Sequence, residues 1–174
     1  RYLNLSPLET ARSILVLLNK MGIEPVISDH ERCCGHDALW CGDHATFTKL
    51  AELNPDLIKS SGAKTVLFSC PEGYVTFKYY YPKYYGELPF EMLHMTEFLA
   101  RELPHSSLSF KGLSAETITY HDPCRLGRLA GIYEAPRQLL KMLPDIKLVE
   151  MERNHENSLC CGTSAWMECS TYSK

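Results

Sequence analysis

Two adjacent cysteine pairs, each followed by glycine, constrain this chain more than any other feature: Cys33-Cys34-Gly35 and Cys160-Cys161-Gly162. Each has a lone companion, Cys70 before Pro71 and Cys124 inside Tyr120-His121-Asp122-Pro123-Cys124-Arg125-Leu126-Gly127-Arg128. A span of 36 residues separates Cys34 from Cys70, and the same span separates Cys124 from Cys160. Thiols on consecutive residues diverge and close only a strained ring, so a doubled cysteine reads as soft ligands aimed at a metal. Glycine after each pair lets backbone approach a bulky inorganic ligand and leaves its amide free to bond sulfur. The fold must therefore gather sulfurs that are remote in sequence.

The 174 residues suffice for one compact unit with a sizeable core. Eight cysteines could form bridges in a secreted protein, but the doubled pairs point to a reducing, cytoplasmic setting and to cluster or metal ligation. Net charge is -3 with no basic run, which argues against nucleic acid as a partner. The longest aliphatic stretch, Ile14 to Leu18, is too short for a membrane span, so any attachment to the cytoplasmic face of a membrane would be through a partner. The start at Arg1 and the stop at Lys174, just past a dense motif, suggest a fragment.

Periodicity predicts alternating helices and strands. Ser6-Pro7-Leu8-Glu9 signals a helix start, and Gly22 can end that helix. Pro25 to Ser28 resembles a short buried strand. A helix is expected from Asp43, with Asn54-Pro55 as a kink or restart and Gly62 as its stop. Lys64 to Ser69 reads as a strand delivering Cys70, and Pro71 suits the first turn of a helix. Phe90 to Met95 reads as another strand, after which Thr96 caps a helix. Pro104 to Lys111 forms the seam between halves. Beyond it come a strand from Thr117 to Tyr120, a helix from Glu134 to Leu143 and a strand from Lys147 to Met151. The expected fold is α/β, with two pseudo-repeated halves of short parallel sheets flanked by helices and with cysteine motifs at the carboxyl ends of strands. The halves are 1–104 and 105–174, packed as one compact unit on whose single rim the six cysteines meet.

The stretch from His121 to Arg128 together with Cys160-Cys161-Gly162 resembles the CCG, or cysteine-rich, domain found in the B and D polypeptides of heterodisulfide reductase and in related iron-sulfur subunits. Arg1-Tyr2 leading into a capped helix, Cys33-Cys34-Gly35 and Ser69-Cys70-Pro71 match a first copy. The family pattern is a lone Cys, then Cys-Cys-Gly, then Cys-x-x-Cys, and in the heterodisulfide reductases it holds a noncubane 4Fe-4S cluster. Here the first copy lacks its lone Cys and its closing motif reads Cys70-Pro71-Glu72-Gly73, while the closing motif of the second copy would fall past Lys174. The resemblance implies an iron-sulfur oxidoreductase subunit that reduces, or carries electrons to, a disulfide-type or other small-molecule substrate. Its partners would be redox subunits of iron-sulfur, flavin or cytochrome b type. Cys33, Cys34, Cys70, Cys124, Cys160 and Cys161 would bind the cluster, with Cys124, Cys160, Cys161 and His121 at the reaction centre.

Each of these residues also has a plainer reading. His121 suits a loop histidine bonding nearby backbone, Asp122 a helix or turn cap, Arg125 and Arg128 solvated surface residues, and His94 a core histidine. Tyr79, Tyr80, Tyr81, Tyr84 and Tyr85 suit packing or a partner surface. Cys41 is a weak ligand candidate, and Cys169 is either a spare ligand or an ordinary thiol. The competing function is a structural zinc-binding or cluster-free docking module of a larger redox complex, with Cys33, Cys34, Cys70 and a histidine such as His36 around zinc. Metal-free thiol-disulfide exchange is a third reading, weakened by the missing Cys-x-x-Cys.

Overall fold

The computed structural model describes residues 7–111 and 116–162. The expected cap Ser6, the Arg1-Tyr2 lead-in, Cys169 and the helix expected after Ser164 lie outside the described residues. The chain is mixed α/β and divides into two compact units, Arg1–Phe110 and Lys111–Lys174.

The first unit opens with α1 (Pro7–Lys20), which Gly22 ends in the left-handed conformation at φ 77°. A short α2 (His36–Cys41) leads into the long α3 (His44–Ser60), whose cap is Asp43 accepting from the Thr46 amide at 3.1 Å. The two strands β1 (Thr65–Phe68) and β2 (Glu91–His94) pair in parallel, Thr65 opposite Glu91 and Phe68 opposite His94. Their crossover holds α4 (Pro71–Val75), a π-helical turn (Thr76–Tyr80) and α5 (Pro82–Tyr85), and α6 (Met95–Glu102) follows β2. Phe47, Ala51, Phe77, Tyr81, Leu88 and Phe90 form the main core, and Leu18, Met95 and Phe98 form a smaller one.

The second unit repeats the parallel pair at smaller scale. Here β3 (Glu116–Ile118) lies beside β4 (Ile146–Leu148), and the crossover holds a second π-helical turn (Arg125–Leu129) and α7 (Glu134–Lys141). Its described buried apolar side chains are few, Leu126 and Ile132 foremost, and the largest buried side chain is that of Arg137.

Three expectations from the sequence are corrected. Pro25 to Ser28 is neither strand nor buried: Val26 and Ile27 are 68% and 62% exposed, and β1 has only β2 beside it among the described residues. Asn54-Pro55 does not restart α3, which runs through Pro55 because Phe47 and Ala51 on the same helix are locked into the core. The missing proline N–H is tolerated under that tertiary load. His94, not Thr96, caps α6; its Nδ1 accepts from the Thr96 amide while its own amide donates to Glu97 Oε2 at 3.1 Å. Burial lowers the His94 pKa and keeps the ring neutral, as that acceptor role requires.

Candidate functional site

In both copies of Cys-Cys-Gly the backbone makes the same local figure. Gly35 and Gly162 adopt φ 76° and 79°, and each glycine amide donates to the sulfur two residues earlier, Cys33 or Cys160, at 3.4 Å. A left-handed residue is what turns the amide back over its own loop, and glycine adopts that conformation without a steric penalty. The amide-to-sulfur bond is also the kind that stabilises a thiolate or a metal-bound sulfur. At Gly35 a second constraint applies, since an added Cβ would lie 3.1 Å from both Leu50 and Phe47.

In the first unit, the pair sits between the coil after Ser28 and α2. Asn54, buried on α3, donates to the Cys33 carbonyl at 3.1 Å and to the Tyr81 hydroxyl at 2.9 Å, and Tyr81 donates to the Cys34 carbonyl at 3.0 Å. Tyr81 reaches this place because the π-helical turn before it ends in a bond from its amide to the Thr76 carbonyl, five residues back. Cys70 begins the crossover two residues after β1. The three sulfurs are close enough for their charges to interact. Burial pushes the Cys34 thiol up to about 11, the His36 amide that donates to its sulfur opposes this, and the Cys33 and Cys70 sulfurs push it further up. Metal binding here would have to displace that proton, and the binding would therefore strengthen with rising pH.

In the second unit, Cys124 stands at the head of the π-helical turn, its carbonyl accepting from the Leu129 amide at 3.2 Å. Gly127 allows the turn to pass beneath Tyr133, where an added Cβ would fall 2.5 Å from the ring. His121 Nε2 lies 2.8 Å from the Leu159 carbonyl, so that nitrogen carries the proton and donates. Arg128 donates to the Ser158 carbonyl, and Ser158 Oγ donates to the Asp122 carbonyl at 3.2 Å. These bonds lay the segment of Cys124 alongside the segment of Cys160. Cys160 and Cys161 are exposed and Cys124 is half-buried.

Several plainer readings are now replaced or refined. Asp122 is buried, both of its carboxylate oxygens held by Arg137, and one of them also accepts the His155 amide that opens the short helical turn His155–Asn157. The Arg137 bonds hold its carboxyl below the usual Asp range despite burial. Arg128 is exposed, as the surface reading has it, and also donates to the backbone carbonyls of Glu156 and Ser158. His36, the histidine offered as an example for zinc, is buried against Trp40, its Nδ1 3.4 Å from the Thr76 hydroxyl and its Nε2 3.7 Å from Glu72 Oε1. Among the described residues no group of three or more His, Cys, Asp or Glu is arranged to hold a single metal ion. Cys41 is exposed at the end of α2. Tyr81 is fully buried, whereas Tyr79 and Tyr84 are exposed.

Sequence reasoning missed Asn54 and Tyr81, which bond the carbonyls of the first pair, and Arg137 and Glu150, which form the buried network around Asp122. Asn54 and Arg137 lie on helices whose other residues look structural, and Tyr81 and Glu150 lie in the linking segments beside regular elements.

The CCG family, described as a cysteine-rich domain, matches residues 2–78 and 118–171. The chain belongs to the CCG cysteine-rich domain family. The matched segments carry the two Cys-Cys-Gly figures described above, one in each unit. Among its relatives is the D polypeptide of the dihydromethanophenazine:CoB–CoM heterodisulfide reductase of Methanosarcina barkeri, 40% identical over 151 residues, which cover 84% of this chain and 37% of that protein. The chain is 36% identical to the probable iron-sulfur-binding oxidoreductase FadF of Bacillus subtilis, over 91% of this chain and 23% of the relative. It is 32% identical to the EtfAB:quinone oxidoreductase of Syntrophomonas wolfei, over 90% and 22%. The chain thus spans well under half the length of these relatives. No solved structure matches it. No helix among the described residues is long and apolar enough to cross a membrane.

Proposed function

We propose that this chain is the cysteine-rich portion of an iron-sulfur oxidoreductase subunit, each unit contributing one set of thiolate ligands. Cys33, Cys34 and Cys70 form the first set, and Cys124, Cys160 and Cys161 the second. The observation that carries this reading is the repeated figure at Cys-Cys-Gly: two thiols on one loop, with a positive-φ glycine whose amide is bonded to the first sulfur. Soft thiolates with amide donors suit an iron-sulfur cluster, and the relatives named for iron-sulfur binding and heterodisulfide reduction support the same chemistry. A cluster of 4Fe-4S type, noncubane as in the heterodisulfide reductases the sequence resembles, would supply one-electron storage.

The chain's own residues would do the rest. The amides of Gly35, His36 and Gly162 would carry part of the thiolate charge, which with burial tunes potential. A disulfide substrate takes two electrons and two protons to become two thiols. The electrons would come from a partner redox subunit of iron-sulfur, flavin or cytochrome b type. His121, exposed and with its Nε2–H fixed on Leu159, can take up and deliver a proton at Nδ1.

Iron and acid-labile sulfide analysis on anaerobically purified full-length chain tests the reading, repeated on Cys124→Ser, Cys160→Ser and Cys34→Ser. Iron with matching sulfide is expected in the parent, with loss confined to the altered set in each variant. Stoichiometric zinc in the parent, or iron content unchanged in all three variants, would overturn it.

A further inference from the structure

Arg137, on α7, is 2% exposed, and all five of its N–H donors are used. Nη1 and Nη2 grip Asp122 Oδ1 and Oδ2 at 2.7 and 2.8 Å. Nε and Nη2 grip Glu150 Oε1 and Oε2 at 2.8 and 2.9 Å, and Nη1 also donates to the Tyr133 carbonyl at 2.9 Å. The guanidinium lies 5.2 Å from the centre of the Tyr120 ring. Asp122 is held on its other side as well. Its Oδ2 accepts from the His155 amide at 2.7 Å, and its carbonyl accepts from Ser158 Oγ. Two residues beyond Asp122 is Cys124; two residues beyond Ser158 is Cys160. One buried cation therefore ties together α7, the chain after β4, the loop of Cys124 and the segment of Cys160.

Burying an ion network seldom stabilises more than a well-packed apolar cluster would, so its retention calls for a geometric reason. A planar fork bonded bidentately to two carboxylates fixes direction as well as distance, which neither a lysine nor a leucine can do. We propose that Arg137 is the positioning residue of the second thiol site: through Asp122 it sets Cys124 against Cys160 before any ligand arrives. This rests on the reading of those cysteines as ligands. A site held in place by the protein binds without the cost of ordering two loops at that moment.

The test uses the full chain, reduced and metal-free, equilibrated with glutathione redox buffers. Oxidised glutathione accepts the two electrons when a pair of thiols closes. Peptide mass mapping then reads the effective concentration of Cys124 with Cys160 and, in the same molecules, of Cys34 with Cys70. Arg137→Lys keeps the charge but loses the fork, and should lower the Cys124–Cys160 value about tenfold while leaving the first-unit pair unchanged. Glu150→Gln, at the solvent edge of the network, should lower it about threefold on the same reasoning. Values within about twofold of the parent in both variants would overturn the proposal. Should Arg137→Lys lose its near-ultraviolet circular dichroism, Glu150→Gln decides alone: a fall confined to the second pair supports the assignment, and no fall ends it. In iron-loaded samples the same variants should broaden or shift the paramagnetic resonance signal. A chain that takes up no iron would sink the ligand reading, yet the thiol coupling would still report on Arg137.

Discussion

The two units hold the same Cys-Cys-Gly figure by opposite means. In the first, neutral groups within an aromatic core do it: Asn54 and Tyr81 reach the carbonyls of Cys33 and Cys34, and Tyr81 packs on Phe77 with ring centres 4.1 Å apart. In the second, where the described apolar core is small, charged and polar side chains hold the backbone before the pair: His121 bonds the Leu159 carbonyl and Arg128 the Ser158 carbonyl, while a buried guanidinium between two carboxylates fixes Asp122. A small unit has little apolar area to bury, so directional polar bonds must supply more of its order. The sequence order differs too, since the first pair precedes its parallel strands and the second follows them. A loop of two thiols and a glycine therefore keeps the same positive-φ turn and amide-to-sulfur bond in two different surroundings.

The sharpest way to break the contrast is to remove the cation. Arg137→Met strands Asp122 in the interior and should cost about 3–5 kcal/mol, read as lost amide hydrogen-exchange protection in the second unit while the first keeps its own. Loss shared equally by both units would mean that the network is not local. Gly127→Ala should come next, destabilising by about 1–3 kcal/mol in urea titration, because the Tyr133 ring must give way. Its counterpart three residues after Cys70, Gly73→Ala, meets nothing closer than 3.6 Å and should be neutral or gain about 0.5–1 kcal/mol.

Tyr81→Phe leaves Asn54 and the Cys34 carbonyl each short of one bond, and should cost about 1–2 kcal/mol by the same titration. Smallest is an alkaline effect in the second unit. Burial, and then the Asp122 charge, pushes Tyr120 up to about 12 from the usual 10, so the folded chain holds this proton more tightly than the unfolded one. The resulting stability is complete below pH 10 and fades as pH rises toward 12. Phenolate absorbance should show one tyrosine titrating earlier in Asp122→Asn than in the parent.

Much of the fold was legible because its signals are local. Asp43 and Gly62 bracket α3, Gly22 ends α1, and each of the four strands overlaps the apolar run that predicted it. The failures share a cause, which is long-range context. Pro25 to Ser28 has strand composition but no ladder partner among the described residues, and Pro55 is carried through α3 by packing that no window of sequence displays. At the candidate site the thiols and glycines declared themselves through spacing. Their supports did not, because an arginine on an amphipathic helix looks like a surface residue until the fold closes over it, and a tyrosine in a run of tyrosines looks like any other.

The two π-helical turns carry a consequence for how such chains tolerate change in length. The first follows α4 and is the equivalent of one residue added to a helix, sitting just where Tyr81 must aim at the Cys34 carbonyl; the second, Arg125–Leu129, is headed by Cys124. Deleting a single residue from 76–80 would let the helix return to ordinary winding with Tyr81 near the face it now occupies, whereas adding a residue to an ordinary helical turn rotates everything after it by about 100° around the axis. The wide turn thus absorbs a one-residue difference in length that would otherwise swing the Tyr81 hydroxyl away from the loop it steadies.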